Sequence, residues 1–184
     1  HNDCYLALLG LIKEAESLGI NTQKIAIGGD SAGAGLAACL TQRWVAEEQA
    51  IKPCFQLLLY PMLDHQHNTP SGLIDDYPVW NRQTSLNAWK MYLGKTKTLA
   101  PYAVAAQAQD LSKQPATYIT VGQVDLFRDE CIAYAQRLMQ AGVATQLAIF
   151  PGMIHGGQFL VPNAAVSQRM RTSYIKALQD ALLN

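Results

Sequence analysis

Residues 24 to 36 read Lys-Ile-Ala-Ile-Gly-Gly-Asp-Ser-Ala-Gly-Ala-Gly-Leu, and no other stretch restricts the fold so tightly. A β-branched run, Ile25-Ala26-Ile27, ends in Gly28 and Gly29. Gly29-Asp30-Ser31-Ala32-Gly33 follows, and then a small-residue helical stretch from Ala34 to Leu40. This is Gly-x-Ser-x-Gly in a strand-turn-helix setting, the pattern of a nucleophile elbow. Such a turn is strained, and glycines two residues to either side of the serine leave it room. The Ser31 hydroxyl then stands clear of the backbone at the C-terminal edge of a sheet. The next helix points its free N–H groups at the same spot, Ala32 first, where a negative oxygen is stabilised. A purely connecting turn is the plainer alternative. A phosphate-binding turn fits less well, because Gly-x-Gly-x-x-Gly and a Lys-Ser/Thr ending are both missing.

The rest of the chain alternates in period. Apolar residues at 5, 8, 9, 12, 15 and 18 predict a helix over 3–18, closed by Gly19. The helix after Ser31 is expected to run to about Gln49. Phe55-Gln-Leu-Leu-Leu-Tyr60 reads as a strand buried on both faces. Strands are also expected over 117–122 and 145–150, with helices over 84–93, 129–141 and 163–182. Strands alternating with helices predict an α/β fold, a parallel sheet with helices on both faces. The whole of 1–184 reads as one catalytic domain. Residues 62–100 exceed what a crossover needs and read as a cap or lid insertion.

An activated serine needs a base, and the base needs an acceptor to fix its tautomer. On a parallel sheet both belong on loops beyond the C-terminal ends of other strands. Of the four histidines, only His155 follows the third expected strand, in Pro151-Gly-Met-Ile-His-Gly-Gly157. Asp125 follows that strand directly, in Gly122-Gln-Val-Asp-Leu-Phe-Arg-Asp-Glu130. Asp129 is the rival acid, but it sits where a helix begins, and N-terminal capping accounts for it. Asp64-His65-Gln66-His67 offers two histidines without a third ligand, so a solvated loop is preferred to a metal site. Trp80, Trp89 and Tyr92 either line an acyl pocket or pack a cap helix.

Composition narrows the function further. Hydrophobic residues make up 49% and charged residues 15%, with a formal net charge of +0, which excludes a polyanion-binding surface such as one for nucleic acid. No apolar run is long enough to span a bilayer. The four cysteines are scattered and read as reduced core residues, which favours a cytoplasmic setting.

Gly29-Asp30-Ser31-Ala32-Gly33 with Leu36-Ala37-Ala38 resembles the hormone-sensitive-lipase-like branch of the α/β-hydrolases, whose elbow usually reads Gly-Asp-Ser-Ala-Gly-Gly-Asn-Leu-Ala. Ala34 and Gly35 stand where that pattern has Gly and Asn. Asp125, Arg128, Asp129 and Glu130 match its Asp-Pro-Leu-Arg-Asp-Glu, while His155 and Gly156 match its His-Gly-Phe. Gly157 replaces the aromatic residue, and Phe159 arrives two positions later. Tyr60-Pro61-Met-Leu-Asp64 and Asp110-Leu-Ser-Lys-Gln-Pro115 resemble family segments too. The resemblance implies an α/β-hydrolase fold and a serine carboxylesterase acting on short-chain acyl esters through Ser31, His155 and Asp125, with no metal or cofactor.

The family's His-Gly-Gly-Gly loop does not occur in this chain. The resemblance therefore implies a C-terminal portion of a larger hydrolase, with Ala32 N–H as its remaining oxyanion donor. An elbow strand without its upstream neighbour leaves an open sheet edge, which favours association of copies. The alternative reading is a catalytically impaired fragment, acting as a folded remnant or interaction module.

Overall fold

The computed structural model describes residues 2–95 and 98–183; residues 96 and 97 of the expected cap insertion, and both terminal residues, lie outside them. In chain order the elements are helix α1 (Asn2–Lys13), strand β1 (Ala26–Asp30), α2 (Ala32–Ala46), β2 (Phe55–Leu59), α3 (Arg82–Leu93), β3 (Ala116–Val124), α4 (Arg128–Gln140), β4 (Thr145–Ile154), α5 (Gly157–Leu160) and α6 (Ala165–Leu183). The strands form one parallel sheet in the order β1-β2-β3-β4. Parallel strands need crossovers, and α2 and α4 supply two of them. Between β2 and β3 the chain makes a 3₁₀ turn at Ser71–Leu73, then α3, then a second 3₁₀ turn at Ala105–Gln107.

Apolar runs make the central strands. Leu58, Tyr118, Ile119 and Val121 are fully buried, as expected of strands covered on both faces. Ala34, Ala37, Ala38 and Cys39 of α2 are small enough to bring that helix close to the sheet. On the side of α4, Cys131, Tyr134, Ala135 and Leu138 are buried at helical spacing. Each leucine or isoleucine buried here contributes on the order of 2 kcal/mol.

Two boundaries differ from the sequence reading by four residues or more. The first helix ends at Lys13, and turns carry the chain on to Gly19, with Ile20 N–H bonded to Ala15 O at 2.8 Å. Ala15 nevertheless stays buried, so the apolar stripe had the right face. Strand β4 continues through Pro151 and Gly152 to Ile154. Among the described residues β4 pairs with β3 alone, and an edge strand tolerates a residue without an N–H. β1 likewise pairs with β2 alone among those residues.

Strand register positions the site. Asp30 pairs with Leu59, so Ser31 and Tyr60 leave the sheet side by side. Val124 pairs with Ile154, which sets the next residues, Asp125 and His155, side by side as well. That second pairing requires a register shift between Gly122 and Val124. A Cβ on Gly122 would lie 2.2 Å from Met153 O, so only glycine permits the approach.

Candidate active site

Ser31 carries φ 53° and ψ −120°, a strained backbone for a residue with a side chain. Its N–H bonds to Leu59 O at 2.9 Å, and its carbonyl accepts from Met62 N–H and Gly35 N–H, both at 3.1 Å. Those bonds hold the turn. A Cβ on Gly29 would meet the Gly33 backbone at 2.5 Å, which explains the first glycine of the motif. Gly33 faces open space, so the expected crowding exists on one side of the serine only. The tight contact on the helix side is at Gly35, where a Cβ would lie 2.2 Å from Met62 O.

Ser31 is also the residue before α2, a position where serine commonly caps a helix. Here its side chain makes no capping bond. The Oγ instead lies 2.9 Å from Nε2 of His155. His155 Nδ1 lies 2.9 Å from Oδ2 of Asp125, and Oδ1 of Asp125 accepts the N–H of Phe127 at 3.0 Å. Asp125 is wholly buried and His155 nearly so. The structure thus brings together the three residues singled out at strand ends. Ala32 opens α2, so its N–H lies in the first turn, where backbone donors lack helical partners.

Aromatic rings enclose the imidazole. Tyr60 and Phe127 meet it edge-on, with centroids at 4.8 and 5.2 Å, and Trp80 lies tilted at 6.0 Å. Tyr60 is in turn held by a hydrogen bond from Gln158 Nε2 to its hydroxyl. Beside Ala32 is an apolar slot of about 110 Å³, lined by Leu36, Cys39, Met62, Ala88, Trp89 and Tyr92. Trp89 and Tyr92 therefore line a cavity next to the serine, whereas Trp80 faces the histidine. Burial pushes the Cys39 thiol up to about 12, so this slot residue is not a nucleophile.

Two expectations require correction. Asp129 does not cap α4, whose N-cap is Phe127. Its carboxylate accepts Ser71 N–H at 2.7 Å and pairs with Arg128 at 2.7 Å, tying the chain after β2 to α4. Burial alone would raise its carboxyl, but the Arg128 guanidinium and the Ser71 N–H outweigh burial and hold it low. The 64–67 segment is not a solvated loop throughout. His67 is fully buried and stacked on Phe127 at 6.0 Å, beside a nearly buried Glu130. Its polar neighbours in sequence gave no hint of this; the stacking partner lies sixty residues away. Among the described residues no group of three or more His, Cys, Asp or Glu is placed to hold a metal ion. Nor is any helix there long and apolar enough to cross a membrane.

A serine on an elbow turn, facing a histidine and an aspartate at neighbouring strand ends of a parallel sheet, is the arrangement of an α/β-hydrolase. The chain belongs to that family, in its hormone-sensitive-lipase-like esterase branch: the α/β-hydrolase fold profile matches residues 1–159. It is 32% identical to an ethyl acetate hydrolase of Pseudomonas putida, over 79% of this chain and 46% of that protein. It is 33% identical to a carboxylesterase of Mycobacterium tuberculosis, over 89% of this chain and 54% of that protein. Among solved structures, a bacterial heroin esterase superposes with a TM-score of 0.94 at 41% identity, covering 98% of this chain and 59% of that one. The chain spans about half the length of the curated relatives it matches.

Proposed function

We propose that this chain carries the Ser-His-Asp machinery of a carboxylesterase that hydrolyses short-chain esters through an acyl-enzyme. The observation that carries the reading is the pair of 2.9 Å contacts linking Ser31, His155 and Asp125. Neutral His155 accepts the Ser31 proton at Nε2 as Oγ adds to the ester carbonyl carbon. Asp125 holds the ring in the Nδ1–H tautomer and supports the imidazolium. The carbonyl oxygen becomes an oxyanion facing the Ala32 N–H. Collapse of the tetrahedral adduct breaks the bond to the alcohol oxygen, which leaves with the proton from His155. Water then repeats the sequence on the acyl-serine, releasing the acid and restoring Ser31.

The similarity to an ethyl acetate hydrolase supports small acyl esters, and the small apolar slot beside Ala32 agrees in size and polarity. We place residues 62–100 as a cap over the site, since Met62, Ala88, Trp89 and Tyr92 of that segment line the slot. Hydrolysis of p-nitrophenyl acetate and butyrate by the parent, each against Ser31→Ala, tests the reading. Steady turnover in the parent that is lost in Ser31→Ala supports it, and equal rates in the two exclude it.

A further inference from the structure

Glu130 takes no part in the chemistry above, yet its side chain is only 2% exposed and its two oxygens are treated very differently. Oε1 accepts Leu63 N–H at 2.7 Å and Asp64 N–H at 3.3 Å. Among the described residues Oε2 has no hydrogen-bond partner, and it lies 3.7 Å from Nδ1 of His67. Neither ring nitrogen of His67 has a partner among those residues, and its ring is fully buried. An ionised carboxylate so placed would leave one oxygen uncompensated, and a protonated imidazole would do the same for both its N–H groups.

A neutral acid facing a neutral imidazole pairs Oε2 with Nδ1 and leaves, among the described residues, the Nε2–H of His67 as the one unpartnered group of the two side chains. Oε2–H is then a donor and Nδ1 an acceptor, and a small rotation of either side chain closes the gap to hydrogen-bonding range. The surrounding groups favour this state. Burial pushes the Glu130 carboxyl well above the usual range; the Leu63 and Asp64 N–H groups oppose that, and the charges of Asp64 and Asp125 add to it. Burial, with the Arg82 guanidinium, holds His67 down to about 4, against a smaller opposing effect of Asp64.

The location of the pair gives it consequence. Glu130 stands in the first turn of α4, whose start is bonded to Asp125 through Arg128 N–H to Asp125 O at 3.2 Å and Phe127 N–H to Asp125 Oδ1. The segment that Oε1 grips includes Leu63, next to the Met62 whose N–H holds the Ser31 carbonyl. His67 lies over Phe127, which meets the His155 ring edge-on. We propose that Glu130 is a positioning residue of the site: as a carboxylic acid with its Oε2 proton toward Nδ1 of His67, it locks the segment behind Ser31 to the loop that carries Asp125. The assignment rests on the reading of Ser31, His155 and Asp125 as a triad.

The tests use the whole chain, and none of the three needs turnover. With ¹³C-carboxyl glutamate, infrared difference spectra at neutral pH between the parent and Glu130→Gln show one protonated carboxylic acid band, present only in the parent. The downfield proton resonance of His155 Nδ1–H persists in the parent and in Glu130→Gln, which can still accept both N–H groups. It is lost in Glu130→Met, which fills the space without accepting. Labelling of Ser31 by a fluorophosphonate slows roughly tenfold or more in Glu130→Met, because small displacements of reacting groups are costly, and Glu130→Gln restores it to within about twofold. Absence of the acid band, an unchanged Glu130→Met, or a Glu130→Gln as impaired as Glu130→Met overturns the proposal. If Glu130→Met does not fold, the band and Glu130→Gln decide alone. Failure of the parent to label at Ser31 would sink the triad reading instead, and the band and the His155 proton would still decide the role of Glu130.

Discussion

Nε2 of His155 stands 2.9 Å from Oγ of Ser31, although 124 positions separate the two residues. The contact spans the sheet: Ser31 leaves β1, His155 leaves β4, and two strands lie between them. The extension of β4 past Pro151 makes it possible, because it carries the chain to Ile154 before the turn.

The two aspartates of the 125–130 segment are expected to have separable roles. Asp125→Asn leaves Phe127 N–H an acceptor but disturbs the His155 tautomer. Turnover is expected to fall by roughly 10⁴, as in other triads of this type, with little loss of stability. Asp129→Asn loses the Arg128 ion pair and weakens the bond from Ser71, so its effect is expected in thermal unfolding, with turnover reduced far less. Parallel kinetics and melting curves on the two variants check the assignment, and the reverse pattern would exchange their roles.

The motif's two glycines are expected to behave oppositely. Gly29→Ala drives a methyl group into the Gly33 backbone and should cost roughly 1–3 kcal/mol, with loss of Ser31 reactivity. Gly33→Ala points into open space within α2 and should stabilise by up to about 1 kcal/mol through helix propensity. Denaturant titrations of both variants give the comparison directly.

What the sequence made legible was chemistry tied to strand ends. A serine between glycines after a β-branched run, and an aspartate and a histidine each just past a further strand, are needed by type and position, so Ser31, Asp125 and His155 stood out. Contacts decided by distant partners did not. The register shift at Gly122, the burial of His67 beneath Phe127 and the reach of Asp129 to Ser71 join segments thirty or more residues apart. Local patterning carries no signal for such pairings. Pro151-Gly152 was actively misleading, because it signals a turn in an ordinary strand and is tolerated at this edge.

Acid stability should report the buried imidazole. His67 is held at about 4 in the fold, below the ordinary 6.5, by burial and by Arg82. As pH falls through that interval the unfolded chain takes up the proton first, so folding loses stability between about 6.5 and 4. Thermal midpoints of the parent should therefore drop more steeply across this window than those of His67→Phe, and the two curves should run parallel above it. Identical slopes within the window would mean that His67 takes up its proton alike in the folded and unfolded chain, contrary to its burial.

Chain-length preference tests the slot. Ala88→Phe fills space beside Trp89 and Tyr92, and so should exclude the two extra methylenes of a butyryl group while sparing acetyl. At about 0.8 kcal/mol per methylene, kcat/KM for butyrate relative to acetate should fall roughly tenfold. An unchanged ratio would place the acyl chain elsewhere.

The most direct measurement is labelling of the intact chain with a fluorophosphonate, followed by intact mass and peptide mapping, across a pH series and with Ser31→Ala and His155→Ala as controls. The account predicts one adduct per chain, on Ser31, formed faster as pH rises from acid because His155 must be neutral to accept the proton, absent in Ser31→Ala and strongly slowed in His155→Ala. An adduct on another residue, or labelling of Ser31 that is indifferent to both pH and the loss of His155, would contradict it.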